Sequence, residues 1–337
     1  MDTVINAAEL QRRLQKLPRL KLATLPTPLE ELPRLAGVLG GPRLWVKRED
    51  LTGLALGGNK IREFEYQFAQ AVEMGCDVLV HGAAAQSNQS RVTAAAAAKL
   101  GLKAVIVGRH DAHAQLQGNL LLSHLFGAEV HLSEAKDQAK AIQAKMVELQ
   151  DQGYTPFNTS SDAAIYRSIA YVDGFLELWD QCQTQGVRPD AIYLCSGAHT
   201  HIGMVLGAKA LGVKLRVVGI SPSPRDNAQA AIDLAKRAAV SAAVLGLDVK
   251  LGPEDFESYA EFVGADYGIV TDGSRQAIQL AAQHEGLLLD PCYTGKTMAG
   301  LHVHIQKGWW HQDQTVLFVH TGGIPALFAY NQELGLA

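Results

Sequence analysis

Short apolar runs alternate with helical stretches along most of this chain, and few folds accept that pattern. After residue 60 an amphipathic helix reaches Met74, then comes Val78-Leu79-Val80. An alanine-rich helix over 87–100 precedes Ala104-Val105-Ile106-Val107, and a helix over 114–126 precedes Glu129-Val130-His131-Leu132. The alternation resumes with Ala191-Ile192-Tyr193-Leu194, a helix over 201–211, a strand over 215–220 and a helix over 226–245. A helix closed by Gly286 leads into Leu287-Leu288-Leu289, and Thr315-Val316-Leu317-Phe318-Val319 is a last strong strand. Strands with no polar alternation are buried on both faces, the condition of a parallel sheet covered by helices. Helical stretches over 133–152 and 162–185 separate the two series. The chain therefore reads as α/β and two-lobed, each lobe an open, mostly parallel sheet flanked by helices. Residues 1–60 with 165–337 are expected to form the larger lobe, and 61–164 the smaller.

The N-terminal part is less regular. Residues 7–17 have helical spacing, and Leu44-Trp45-Val46-Lys47-Arg48-Glu49-Asp50 is a strand running into charge. Between them, Leu25-Pro26-Thr27-Pro28-Leu29 cannot be helical, because each proline restrains itself and its predecessor.

Composition narrows the function classes. The net charge of −4 leaves no basic footprint for nucleic acid. No run of 18 apolar residues suggests a membrane span. The start, Met1-Asp2-Thr3-Val4-Ile5-Asn6, lacks the basic and apolar regions of a secretory signal, so a cytoplasmic protein is expected. Cys76, Cys182, Cys195 and Cys292 form no C-x-x-C pair and read as reduced thiols.

Ligands of α/β sheets bind at the carboxyl ends of strands, and five loops at such places carry unusual residues. Gly57-Gly58-Asn59-Lys60 puts a lysine beside two glycines at the mouth of an apolar helix. Such a lysine shifts its pKa readily when buried, which suits Schiff-base chemistry. Gln86-Ser87-Asn88-Gln89-Ser90-Arg91 opens a helix, with Ser87 fitted to cap it and free amides suited to an anion. Cys195-Ser196-Gly197-Ala198-His199-Thr200 leads from a strand to a helix, as a phosphate cradle does, with Thr200 as a hydroxyl donor. His199-x-His201 has no third ligand nearby in sequence, so no metal is expected. Tyr293-Thr294-Gly295-Lys296-Thr297 resembles a nucleotide P-loop only in its last three residues. The glycine that motif needs five positions before Gly295 is Asp290. The fifth loop is His320-Thr321-Gly322-Gly323.

A Schiff-base lysine, an anion cradle, an asparagine loop and a late hydroxyl are the parts a pyridoxal phosphate site requires. Taken in order with Leu25-Pro26-Thr27-Pro28-Leu29 and Val46-Lys47-Arg48-Glu49-Asp50, these motifs resemble the fold-type II pyridoxal phosphate enzymes. The resemblance is to the branch holding 1-aminocyclopropane-1-carboxylate deaminase and D-cysteine desulfhydrase, and it is collinear over roughly residues 20–330. It implies pyridoxal 5′-phosphate in the cleft between the lobes, a small amino-acid substrate and a homodimer. By matching position, Lys60 would hold the cofactor and move the proton at the substrate α-carbon. Asn88 would face the cofactor O3′, and Ser87, Asn88 and Gln89 the substrate. The phosphate would sit on Ser196, Gly197, Ala198, His199 and Thr200, Tyr267, Tyr293 and Thr294 would flank substrate and ring, and Thr321 would partner the pyridine nitrogen.

Thr294 and Thr321 stand where the deaminase pattern has glutamate and leucine, which favours the desulfhydrase side. A neutral hydroxyl at the pyridine nitrogen leaves a weaker electron sink, sufficient to expel a good leaving group. Gln89 departs from the desulfhydrase pattern, and His199 would add a donor able to carry charge toward the phosphate or the substrate. The expected reaction is β-elimination from D-cysteine, with L-cysteate sulfo-lyase and aminocyclopropane carboxylate deaminase as rivals.

Overall fold

In the computed structural model, residues 3–335 are described; Met1 and Asp2 of the N-terminal stretch read above, and Leu336 and Ala337, lie outside them. Two sheets carry the fold. The chain opens with α1 (Ala7–Leu14), β1 (Leu29–Glu31), α2 (Pro33–Leu39) and β2 (Arg43–Lys47). It then enters α3 (Asn59–Glu73), whose first turn contains Lys60.

The smaller sheet follows: β3 (Val78–Ala84), α4 (Asn88–Leu100), β4 (Lys103–Arg109), α5 (Gly118–Leu125), β5 (Glu129–Ser133), α6 (Gln138–Asp151) and β6 (Pro156–Asn158). Its strand order is β5-β4-β3-β6, all parallel. The long α7 (Ile165–Gln185) returns the chain to β7 (Ala191–Cys195), α8 (His199–Ala210), β8 (Arg216–Ile220), α9 (Asn227–Val244) and β9 (Glu257–Tyr259). After α10 (Asp272–Glu285) and α11 (Thr294–Gln306), β10 (Thr315–Val319) inserts between β2 and β7, and α12 (Ala326–Ala329) ends the series. The larger sheet, β1-β2-β10-β7-β8-β9, is parallel except for the β1–β2 pair.

The buried runs account for this layering. Every residue of β7 and β10 is buried, so side chains leave both faces of the sheet into helix-covered cores. Ile192, Leu194, Leu317 and Val319 enter one core, and Tyr193, Val316 and Phe318 the other. Each such aliphatic or aromatic side chain contributes about 1.5–3 kcal/mol of transfer free energy.

The structure moves several expected boundaries. β3 continues beyond Val80 through His81–Ala84, because it stays in register with β4 as far as Arg109. The helix expected over 114–126 begins only at Gly118. Residues 111–117 are held irregular because the Gln86 side-chain amide donates to the carbonyls of His113 (2.9 Å) and Gln117 (3.1 Å). The helix expected from residue 133 begins at Gln138, since Ser133 pairs with Arg109 in β5. The leucines 287–289 take no regular structure, although Leu287 and Leu289 are buried. Among the described residues, no helix is long and apolar enough to cross a membrane.

Candidate active site

Both sheets reverse their strand order beside a loop that opens a helix. β3 lies between β4 and β6, and β7 lies between β8 and β10. A crevice forms beyond the carboxyl ends of strands at such reversals. The loops after β3, β7 and β10 meet the Lys60 loop there, around a cavity of about 390 Å³.

Lys60 is positioned by its glycines. Gly57 has φ 69°, and a Cβ there would lie 1.7 Å from the Asp50 carbonyl oxygen, so only glycine fits. Gly322 has φ 93° and packs its backbone against Gly58. The two glycine loops thus close on each other and aim the first turn of α3 at the cavity. The Lys60 side chain keeps 22% exposure and pairs with Glu63, Nζ to Oε1 2.9 Å. Burial pushes its amine below the ordinary lysine value; Arg167 adds to this and Glu63 opposes it.

Ser87 caps α4 by accepting from the Ser90 N–H. Asn88 accepts from Asn119 Nδ2 at its oxygen (2.8 Å), which leaves its own amide to donate toward the cavity. Gln89 is engaged at both ends: Arg167 donates to its oxygen (3.0 Å), and its nitrogen donates to His81 Nδ1 (3.4 Å). Burial holds the His81 pKa down to about 3, so that ring is neutral.

In the third loop, Gly197, Ala198, His199 and Thr200 line the cavity, but Ser196 does not. The Ser196 hydroxyl turns behind the loop to His201 Nδ1 (2.9 Å) and Arg225 (2.7 Å). Ala198 takes φ 132°, a strain of about 1–3 kcal/mol for a residue with a Cβ. α8 has no capping side chain, so its first N–H groups are left for a ligand.

His199 is not the charged donor anticipated. Arg237 Nη2 lies 3.0 Å from its Nε2, and a guanidinium can only donate, so that nitrogen accepts. Its Nδ1 lies 3.0 Å from the Ser168 hydroxyl. Burial, with Arg167 and Arg237 nearby, holds its pKa well below the usual value, and the ring is neutral.

Tyr267 and Tyr293 also line the cavity, with their hydroxyls 2.6 Å apart. Burial raises both phenols, so both are protonated and one donates to the other. Asp290 builds this turn by accepting from the N–H groups of Cys292, Tyr293 and Thr294. The Thr294 hydroxyl also donates to Asp290 (2.7 Å), so this side chain points away from the cavity. Lys296, which suggested a P-loop, is buried and donates to the Val263 carbonyl (2.7 Å). Thr321 lines the cavity, and its carbonyl accepts from the Asn59 N–H (3.0 Å).

Residues 20–322 match the model of the pyridoxal-phosphate dependent enzymes. The chain belongs to this family. A D-cysteine desulfhydrase of Salmonella newport is 36% identical over 329 residues, covering 95% of this chain and 98% of the relative. The crystal structure of an ACC deaminase homologue superposes with a TM-score of 0.87 at 33% identity, covering 97% of this chain and 98% of that one. The diaminopropionate ammonia lyase of Escherichia coli shares the fold alone, with a TM-score of 0.69 at 17% identity. The chain is thus a fold-type II pyridoxal phosphate enzyme of the ACC deaminase and D-cysteine desulfhydrase group.

The cavity fits that cofactor. A pyridoxal phosphate enzyme needs an amine, an anion site and polar partners around the ring. Lys60 would supply the amine, the uncapped start of α8 the anion site, and Asn88 and Thr321, which also line the cavity, polar groups for the ring. His81 Nε2 is buried with no partner among the described residues, a further polar atom at the cavity wall.

The side chains that motif reasoning missed are Glu63, Arg167, Arg237, His81 and Asp290. Glu63 had a weak local signal, since it stands three residues after Lys60, the spacing of neighbours on one helix face.

Proposed function

We propose that this enzyme catalyses β-elimination on a small amino acid, D-cysteine first among them, yielding pyruvate, hydrosulfide and ammonia with uptake of water. The observation that carries the reading is that a part-buried lysine of lowered pKa and two protonated tyrosines line one cavity. The neutral Thr321 and the 36% identical D-cysteine desulfhydrase support the choice of substrate.

When bound, the cofactor supplies an electron sink for the substrate α-carbon. The chain's own groups do the rest. The amides at the start of α4, with Ser87, hold the substrate carboxylate. Lys60 in its neutral form takes the α-proton, which its lowered pKa favours near neutral pH. Tyr293, whose hydroxyl is ordered by Tyr267, donates a proton toward the departing sulfur.

The purified holoenzyme is expected to release sulfide and pyruvate in equal amounts from D-cysteine. Neither product from D-cysteine, with turnover of cysteate or aminocyclopropane carboxylate instead, would reject the named substrate. Tyr293→Phe is expected to lower kcat by about 10²–10⁴-fold with a much smaller change in KM, as loss of a general acid requires. Steady-state kinetics on D-cysteine check this. A raised KM at unchanged kcat would make Tyr293 a binding group only.

A further inference from the structure

Two guanidinium groups converge on the end of the cavity where α8 begins, and neither follows from the substrate chemistry above. Arg167, from α7, donates to Glu63 Oε2 (2.6 Å) and Gln89 Oε1 (3.0 Å). Arg237, from α9, donates to His199 Nε2 (3.0 Å), and no carboxylate among the described residues lies within ion-pair distance of it. Both line the cavity. A partly buried guanidinium resting on a neutral imidazole is incompletely satisfied, because it is paired with no negative charge.

The charges at this end can be counted. Arg167 and Arg237 are cations, Glu63 is the one carboxylate among them, His81 and His199 are neutral, and Lys60 is the amine that the cofactor would occupy. Arg225 stands behind the loop, bonded to Ser196, and does not line the cavity. Two guanidinium groups against one carboxylate leave an excess of one positive charge. A phosphate monoester carries roughly −1.5 to −2 charges at pH 7. One phosphate therefore uses up the whole excess and leaves nothing over for a second anion.

We propose that Arg167 and Arg237 are the clamp for the cofactor's phosphate, added to the amides of α8. His199 is the neutral prop that orients Arg237, as its acceptor nitrogen and its bond to Ser168 require. Glu63 opposes the clamp: its Oε1 lies 3.4 Å from the Thr200 hydroxyl, beside the anion site, and it also occupies Arg167. One consequence concerns specificity. Because the phosphate consumes the positive excess, a substrate whose side chain bears its own anion finds no free cation there. A thiol side chain is then favoured over a sulfonate. The clamp itself rests on family membership and not on the substrate proposed above, so the two can fail separately.

Calorimetric titration of the apoprotein with inorganic phosphate tests the clamp without turnover, and absorbance titrations compare pyridoxal phosphate with pyridoxal. Arg237→Gln is expected to weaken both inorganic phosphate and pyridoxal phosphate by about ten- to a hundredfold, the worth of one charged hydrogen bond. Its affinity for pyridoxal should be unchanged. Arg237→Lys, which keeps charge but loses the fork, should fall between. Glu63→Gln should tighten inorganic phosphate, a gain that damage to the fold does not produce. The proposal is overturned if Arg237→Gln and Arg237→Lys both bind phosphate as the unaltered protein does, or if pyridoxal and pyridoxal phosphate weaken equally. It is also overturned if Glu63→Gln binds phosphate more weakly, or if Arg237→Gln raises KM for anionic amino acids alone.

Discussion

Lys60→Ala is expected to lose the visible absorbance of the bound cofactor and to lower turnover by about 10²–10⁴-fold or more, since it removes both the attachment point and the base. Borohydride treatment of the unaltered holoenzyme should fix the cofactor mass to the peptide containing Lys60, and to no other lysine. The buried Lys47 and Lys296 are the natural controls. Lys47 is tied to Glu177 (2.5 Å) and the Thr27 carbonyl, and Lys296 to the Val263 carbonyl. Fixation to either would remove the basis for every role assigned to the cavity. The variant should remain folded, because Glu63 keeps Arg167 as its partner.

Arg62→Met is expected to have the largest effect on stability, a loss of about 3–5 kcal/mol at neutral pH, the usual result of stripping one partner from a buried ion pair. Arg62 is fully buried. It holds Glu49 through two bonds of 2.9 Å and Glu177 through bonds of 3.0 and 3.2 Å. Tyr171 donates to Glu49 as well (2.9 Å). This network ties β2, α3 and α7 together beneath the Lys60 loop. Burial alone would raise the Glu49 pKa, but Arg62, helped by Lys47 and the Thr27 hydroxyl, holds the carboxyl down to about 2.

The pH dependence follows from that shift. A carboxyl depressed in the folded protein contributes stability that is fully present above its ordinary value of 4.5 and lost as pH falls through about 2. In Arg62→Met the same carboxyl is buried without its cation, so its pKa rises and the variant suffers most where Glu49 must stay ionised. The stability gap between the two proteins should therefore narrow as the medium is acidified from neutral pH. Urea unfolding at neutral and mildly acidic pH measures it. A gap below about 1 kcal/mol, or one independent of pH, would mean that Arg62 acts by packing and not by charge.

The legible residues and the missed ones differ in a physical way. Lys60, Ser87, Tyr293 and Thr321 stand in loops whose local chemistry is unusual: paired glycines, a helix cap, a strand end that stops on a hydroxyl. Arg167 and Arg237 lie within α7 and α9, where a lone charge in an amphipathic pattern reads as solvated surface. Glu63 and Arg167 meet across 104 residues of sequence. Asp290 counted in the sequence only as the residue that disqualified a P-loop, whereas its carboxylate builds the turn that presents Tyr293. Thr294, chosen for its place beside that tyrosine, is turned inward by the same carboxylate.

Local chemistry written in the chain thus determined the α/β class, the two mostly parallel sheets and the cofactor family, because periodicity, glycine conformation and helix capping act over a few neighbouring residues. Only the tertiary structure decided the charge of the site. It made His199 neutral, engaged Gln89 at both ends, and brought Glu63, Arg167 and Arg237 to one end of one cavity. Burial and the distance between charges set protonation and pairing, and both are properties of packed helices that no single segment carries.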